Sequence, residues 1–290
     1  MSYKISIASG KGGTGKTTVA ANLFYYFFRE EKLQVQLIDC DVEEPNVLIF
    51  FPEFKKIEQE DIFKLNPAIK HDKCNYCRRC ADFCEFNAIA VIPGAKFAEI
   101  NPGLCHACGA CLYACQEDAI YEYREVIGKV TSYNSPQGHS ILEGKLKVGS
   151  PMQTMLIKKL KQRVSNKVDM LIYDAPPGTS CSVVETISDS DAVILVAEPT
   201  LFGLHDFKLM VELIKKLQLP HAVVINKAGM GNKKIYEYIK EENINLLGEV
   251  PFLKEYASAY ARGNLFNEIP SEIGESFRDM VSNLNKFLVS

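Results

Sequence analysis

A glycine-rich segment at residues 10–17, GKGGTGKT, lies between an apolar run at residues 4–8 and a helix-like stretch at residues 17–31. A strand, a glycine loop and a helix in this order let backbone N–H groups turn inward around phosphate oxygens. The spacing matches the Walker A pattern, in which Lys16 would reach the β- and γ-phosphates and Thr17 would bind Mg²⁺. It therefore predicts a site for ATP or ADP. The nucleotide-binding residues predicted here are Gly10, Lys11, Gly12, Gly13, Thr14, Gly15, Lys16, Thr17 and Thr18.

Apolar runs and helical stretches alternate on both sides of a central region, rich in cysteine, that does not follow this pattern. Such alternation predicts an α/β fold with a mainly parallel sheet covered by helices on both faces, as in P-loop NTPases. The predicted strands after the first are 34–38, 168–173, 191–197, 221–225 and 246–250, and the predicted helices are 17–31, 152–164, 203–217 and 273–288.

The central region carries most of the cysteines. Eight of the ten fall between Cys74 and Cys115, in two copies of the spacing C-x2-C-x2-C-x3-C that start 31 residues apart. A local cluster of this kind favours metal binding over a disulfide framework. The duplication marks an inserted domain. We therefore predict an ATPase domain in two parts, 1–61 and 126–290, interrupted by an insert at 62–125.

Each copy has the ligand spacing of bacterial two-cluster ferredoxins, in which the last cysteine of one copy serves the cluster of the other. The spacing predicts two [4Fe-4S] clusters in a small α+β, bacterial-ferredoxin-like domain. Zinc is the competing interpretation, since four-thiolate zinc sites also use C-x2-C pairs. Glu85 and Gln116 stand where ferredoxins usually have proline. The predicted ligands are Cys74, Cys77, Cys80 and Cys115 for one cluster, and Cys105, Cys108, Cys111 and Cys84 for the other.

Lys11 extends the loop to KGGxGKTT, which resembles the deviant Walker A of the MinD/Mrp superfamily, the SIMIBI class that includes ParA and the nitrogenase iron protein. The resemblance implies that Lys11 crosses to the nucleotide of a partner subunit, and hence a homodimer with ATP between the subunits. Asp39 and Asp41 end a predicted strand, where ligands bind in open α/β sheets. By the same resemblance Asp41 orients the attacking water and Asp39 supports the Mg²⁺ shell, so Lys11, Lys16 and Asp41 are the predicted catalytic residues.

Further motifs of this class lie in the second half of the chain. Asp174 closes an apolar strand as a Walker B aspartate does, and would hold Mg²⁺. The segment 176–179 resembles switch II of the MinD/Mrp ATPases. Asn226 follows another apolar run and resembles the residue that contacts adenine, while Pro251 and Phe252 resemble the neighbouring purine loop.

The resemblance implies a Mg²⁺-dependent ATPase whose clusters take part in its function. Electron transfer gated by the nucleotide is the favoured function, with an unknown redox donor and acceptor. Assembly or delivery of an iron–sulfur or other metal cluster to a client protein is the alternative, and MinD/ParA-like spatial positioning is a third class. Cys181 lies seven residues after Asp174, at the offset of a cluster cysteine in the nitrogenase iron protein, and could bind a metal or a third cluster that bridges two copies. A buried thiol at the start of a helix is the favoured interpretation of this residue.

The net charge of −3 indicates no nucleic-acid partner. No apolar run reaches the roughly 20 residues of a membrane span, and the final amphipathic helix has few cations, so we expect no stable membrane anchor. The chain begins directly with a strand and a phosphate loop, which predicts a cytoplasmic protein without a signal peptide.

Overall fold

The computed structural model describes residues 2–267 and 269–289. The chain forms two compact units. The first comprises Met1–Glu60, Val130–Lys145 and Gln153–Ser290, and the second comprises Asp61–Lys129 and Leu146–Met152.

Within the described residues, the strands are β1 Tyr3–Ala8, β2 Val35–Asp39, β3 Lys55–Ile69, β4 Ile89–Ile92, β5 Phe97–Ile100, β6 Ile120–Asn134, β7 Ser140–Leu146, β8 Met170–Asp174, β9 Ala192–Ala197, β10 His221–Ala228 and β11 Asn245–Pro251. The helices are α1 Lys16–Arg29, α2 Arg79–Asp82, α3 Ala110–Ala114, α4 Gln153–Lys161, α5 Cys181–Ile187, α6 Leu201–Lys216, α7 Lys234–Glu241, α8 Lys254–Ala261 and α9 Ser271–Val289. Short 3-10 helices span Val47–Phe50 and Pro93–Ala95.

The large sheet has the strand order β11-β10-β9-β1-β8-β2-β7-β6-β3. Its neighbours from β11 to β7 pair in parallel. The mainly parallel α/β sheet predicted from the sequence is therefore confirmed. Because parallel strands end at the same edge, the loops after β1, β2, β8, β9 and β10 gather along one side of this sheet.

The core lies on both faces of the sheet. Along β9, Ile194 and Val196 belong to one apolar cluster, whereas Val193 and Leu195 belong to another. The first cluster includes side chains of α1 and α9, and the second includes side chains of α6 and α7. A strand buried on both faces reads as a continuous apolar run, because side chains alternate between two covered faces.

The second unit contains an antiparallel pair, β4 with β5, in which Ile89 faces Ile100. The short helices α2 and α3 each follow one of the cysteine loops. A small apolar core is built around Ile89, Val91, Ala98 and the side chain of Cys111. The unit begins at Asp61 and takes in Leu146–Met152, whereas the sequence places an insert at 62–125.

Candidate functional site

The glycine loop lies against the end of β10. Gly15 precedes α1 with a φ of 96°, and the side-chain amide of Asn226 donates a hydrogen bond of 2.7 Å to the Thr14 carbonyl oxygen. A Cβ atom on Gly15 would lie 2.0 Å from that amide nitrogen. Glycine is therefore required twice at this position, for its left-handed backbone and for the close approach of Asn226.

A cavity of about 220 Å³ opens beside the loop. Its wall combines loop glycines with aromatic side chains, which suits a nucleotide with its base, sugar and phosphates. Its lining includes the predicted residues Gly13, Gly15, Thr18, Asn226, Pro251 and Phe252, and also Lys227, Leu253, Tyr256 and Tyr260.

Two predicted aspartates meet at the edge of the sheet. Asp39 on β2 is in register with Asp174 on β8. The Thr17 hydroxyl donates a hydrogen bond of 2.7 Å to one carboxylate oxygen of Asp174. The other oxygen is buried and has no hydrogen-bond partner among the described residues. An orphaned buried acceptor of this kind calls for a missing donor or cation.

The electrostatics at this edge favour a cation. Burial raises the pKa of Asp174 to about 6, while Lys16 and the Thr17 hydroxyl act in the opposite direction. Burial, and then the charge of Asp174, raise the pKa of Asp39 well above its usual range. Burial also raises the pKa of Asp41, although Lys16 lowers it. Mg²⁺ in nucleotide sites is held by one or two carboxylates together with phosphates and water, so these residues fit a Mg²⁺ ion.

Lys11, which the sequence assigns to a partner's nucleotide, is bound here within its own chain. Its ammonium group donates a short hydrogen bond to Glu198. Lys227 pairs with the other carboxylate oxygen of Glu198 at 3.1 Å and also donates to the Gly13 carbonyl. Burial alone would raise the pKa of Glu198, but the two lysines outweigh it and lower that pKa. Glu198 therefore holds both lysines beside the phosphate loop.

The eight clustered cysteines line two separate cavities in the second unit. We call them the first-loop site and the second-loop site. The first-loop site is lined by Cys74, Cys77, Cys80 and Cys115. The second-loop site is lined by Cys84, Cys105, Cys108 and Cys111. These are the two crossed sets that the sequence predicts, so the fourth cysteine of each copy lies at the site of the other copy.

The backbone repeats with the duplication. Left-handed residues recur 31 positions apart with closely similar φ values, in three pairs: Tyr76 at 58° with Ala107 at 54°, Arg78 at 70° with Gly109 at 77°, and Asn87 at 50° with Asp118 at 47°. A non-glycine residue in this region is strained, and such strain concentrates at functional sites. The two loops are therefore built alike.

Six of the eight cysteines are buried or partly buried, while Cys77 and Cys108 are exposed. Burial raises the pKa of the Cys111 thiol to about 11 and raises that of Cys80 as well. Metal binding requires the thiolate form, so it would release protons from these cysteines. Across residues 2–267 and 269–289, no three His, Cys, Asp or Glu side chains are grouped closely enough to hold a single metal ion. A four-iron cluster instead binds each thiolate to a different iron, and therefore takes ligands that stand farther apart.

The comparisons with known proteins assign the nucleotide-binding unit. Residues 5–266 match the model of the CobQ/CobB/MinD/ParA nucleotide-binding domain. The chain belongs to this family. The predicted resemblance to MinD/Mrp P-loop ATPases is thereby confirmed, while the ferredoxin-like insert and its clusters stay predictions.

Relatives of this ATPase include two uncharacterized proteins of Methanocaldococcus jannaschii. One is 31% identical over 90% of both chains, and the other is 30% identical over 98% of this chain and 97% of its own. A protein of Pyrococcus horikoshii named as an iron–sulfur cluster carrier is 24% identical, over 86% of this chain and 74% of its own. The MinD structure from the same species, with Mg-ADP, shares the fold at a TM-score of 0.60 and 19% identity, covering 99% and 97% of the two chains.

Sequence reasoning on this MinD/Mrp ATPase missed Glu198, and it singled out Cys181, which lies apart from the site. Glu198 follows β9 directly, and its position after a central strand was the available signal. Cys181 lies at the start of α5 as expected, but its side chain is exposed, so the expectation of a buried thiol is wrong. It lines neither cysteine cavity. No helix in the described part of the chain is long and apolar enough to cross a membrane.

Proposed function

We propose that this ATPase couples its nucleotide state to electron transfer through two [4Fe-4S] clusters held by the first-loop and second-loop sites. The observation that carries the proposal is the pair of cavities, each lined by four cysteines in the crossed sets. The loops would supply the thiolate ligands, and the clusters would supply one-electron transfer. Permanent four-thiolate ligation supports electron transfer more than labile storage.

On the nucleotide side, each predicted residue has a role that its position supports. Lys16 would bind the β- and γ-phosphates, while Thr17 and the free carboxylate oxygen of Asp174 would hold Mg²⁺. Asp41 would orient the attacking water. Lys11 would leave Glu198 and reach the nucleotide of a second copy, so hydrolysis would take place in a homodimer.

Hydrogen bonds of Asp39 link the nucleotide edge to the part of the chain that leads into β3 and the cysteine-bearing segment. The carboxylate of Asp39 accepts backbone hydrogen bonds from Asn46 at 2.9 Å and Val47 at 3.0 Å. These bonds cap the 3-10 helix Val47–Phe50, which is followed by β3. A change at Asp39 on binding of Mg²⁺ and γ-phosphate would therefore shift the segment that leads into β3. Exposure and hydrogen bonding set cluster potentials, so such a shift would alter them.

The test is a redox titration of anaerobically purified protein with no nucleotide, with ADP and with a non-hydrolysable ATP analogue. We expect about eight irons per chain. A coupling free energy of ~1–3 kcal/mol would shift the midpoint potential of a one-electron couple by about 40–130 mV. Reduction should also change ATP affinity by the same factor, because linkage is reciprocal.

Lys16→Ala is the matched control for this titration. It should keep its iron but lose nucleotide binding, because the phosphates lose their main cation. Its titrations should therefore be superimposable under all three conditions. Superimposable titrations of the wild-type protein, at full iron content and saturating nucleotide, would refute the coupling.

Cluster delivery is the second candidate, and the relatives named as iron–sulfur cluster carriers favour it. The two functions differ in what leaves the protein. Incubation of the iron-loaded protein with an apo-ferredoxin and ATP would move iron and sulfide to the acceptor if this chain delivers clusters. Retention of the iron through many reduction and oxidation cycles would support electron transfer instead.

A further inference from the structure

The pseudo-symmetric loops differ in charge at matched positions. The first copy has Arg78 and Arg79 where the second has Gly109 and Ala110, 31 residues later. Both arginines line the first-loop site. The Arg78 guanidinium donates a hydrogen bond of 2.9 Å to the carbonyl oxygen of Val91, another lining residue, so its charge is fixed at the cavity wall.

The acidic groups around the first-loop site do not cancel both cations. Glu117 lines the cavity and accepts a hydrogen bond of 3.1 Å from Asn75. Asp82 pairs with Arg78 at 3.4 Å, but more than half of each side chain is exposed, so water screens the pair. Arg79 has no such acidic partner among the ion pairs of the described residues.

Among the described residues, no arginine or lysine lines the second-loop site. The positions matched to Asn75 and Glu117 hold His106 and Phe86, whose rings stack with centroids 4.0 Å apart. No Lys, Arg, Asp or Glu of the described chain lines this cavity. The buried Lys64 donates to the Pro102 carbonyl near this loop, but it is paired with Glu125.

Burial differs in the same direction as charge. Cys105 and Cys111 of the second-loop site are buried, whereas every cysteine of the first-loop site is exposed or partly exposed. Adding an electron to a cluster adds negative charge, which cations stabilise and burial in a low dielectric disfavours. Both effects raise the reduction potential of the first-loop site relative to the other.

One contact works against this difference. Backbone N–H groups donate to the sulfurs of Cys84 and Cys105 at the second-loop site at 3.3 and 3.4 Å, and to that of Cys115 at the first-loop site at 3.4 Å. Hydrogen bonds to sulfur also raise the potential. A single extra N–H dipole carries only a partial charge, however, and so does not outweigh two arginines and the difference in burial.

We propose that the first-loop site holds the cluster of higher potential, and that Arg78 and Arg79 set this order. This inference rests on the proposed presence of two clusters. An electron that enters at the second-loop cluster would pass to the first-loop cluster, oxidising the former and reducing the latter. The two sites would thereby form a directed pair and not two interchangeable carriers.

The experiment is an anaerobic titration of the full chain with dithionite, followed by electron paramagnetic resonance, with iron and sulfide counted on each sample. Arg78→Gln and Arg79→Gln are made singly and together. Glutamine is chosen because at position 78 it keeps a donor for the Val91 carbonyl oxygen. Ala110→Arg is the reciprocal variant at the position matched to Arg79. Arg124→Gln is the control, since Arg124 is an exposed cation of the same unit that lines neither cavity.

We expect two midpoint potentials in the wild-type protein that differ by at least ~59 mV. For a one-electron couple this difference places the electron on one cluster at least about ten times more often than on the other. The double glutamine variant should lower only the upper midpoint, by about tenfold in the equilibrium constant. Ala110→Arg should raise only the lower midpoint, and Arg124→Gln should move neither.

Coincident midpoint potentials, or a double variant that moves the lower midpoint, would overturn the proposed order of the two potentials. If the iron count is still near eight per chain, the proposed function stands. A chain that takes up no iron and sulfide would overturn both.

Discussion

Replacing Glu198 by glutamine should weaken the folded monomer and at the same time favour the ATP-bound dimer. Glu198 has a side chain only 10% exposed, between Lys11 and Lys227, whose side chains are 31% and 35% exposed. A charge pair at 4 Å gains ~4 kcal/mol at an effective dielectric constant of 20, and solvent contact with the lysines reduces this to about 1 kcal/mol for each pair. The variant should therefore lose about 2 kcal/mol of unfolding free energy.

The sign of this effect follows from the pKa of Glu198. Burial raises it, yet the two lysines bring it below its ordinary value. The ionised carboxylate is therefore better stabilised in the folded chain than in the unfolded chain, and the stabilisation is present above the unfolded pKa. Glutamine keeps the shape and hydrogen-bonding capacity but removes the charge that holds Lys11.

A double-mutant cycle in urea, without nucleotide, would isolate the contact. Glu198→Gln should lose less stability in a Lys11→Ala background, with a coupling energy of about 1 kcal/mol. In sedimentation experiments with an ATP analogue, Glu198→Gln should dimerise at about fivefold lower analogue concentration, because 1 kcal/mol corresponds to this factor. Lys11→Ala should bind nucleotide but fail to dimerise. Additive losses of stability together with unchanged dimerisation would refute the reasoning.

Two further predictions concern other parts of the chain. Cys115→Ala should lose about half of the iron, and adding Cys77→Ala should remove little more, whereas adding Cys108→Ala should remove the rest, because each cluster holds four irons; the reverse pattern would contradict the crossed ligands. His139 is buried, and burial and then the charge of Arg29 lower its pKa. Its contribution to stability is therefore present above its unfolded pKa of ~6.5 and is lost as the pH falls through the folded pKa. Wild-type unfolding free energy should fall relative to His139→Gln as the pH drops from 7.5 to 5; parallel pH profiles would exclude this cause.

The nucleotide edge could be predicted because its residues are local in sequence. Lys16 and Thr17 follow the glycine loop directly, and Asp39 and Asp174 each close a strand whose apolar run is visible in the sequence. The sheet followed from the alternation of strands and helices. Each of these signals depends only on neighbours along the chain.

The features that sequence reasoning missed have two causes. Some depend on contacts between distant segments, and others lack an apolar pattern along the chain. Glu198 reaches Lys11 because β1 pairs with β9, with Ala8 opposite Leu195. The apolar residues of β1 and β9 do not indicate that these two strands are neighbours in the sheet. The first residues of β3 from Lys55 are nearly all exposed, so they lack the apolar alternation that marks a strand. Helix α8 buries little besides Tyr256 and therefore has no apolar stripe to reveal it.

The capping bonds of Asp39 indicate the size of the proposed coupling. Its carboxylate accepts backbone hydrogen bonds from Asp41 at 3.2 Å, Asn46 at 2.9 Å and Val47 at 3.0 Å. A Mg²⁺ shell that draws this carboxylate away would remove acceptors from these N–H groups, and each hydrogen bond contributes ~0.5–1.5 kcal/mol net. Coupling energies between sites are typically ~1–3 kcal/mol. One rearranged cap at the 3-10 helix before β3 is therefore enough to account for a shift of tens of millivolts, without a large-scale motion.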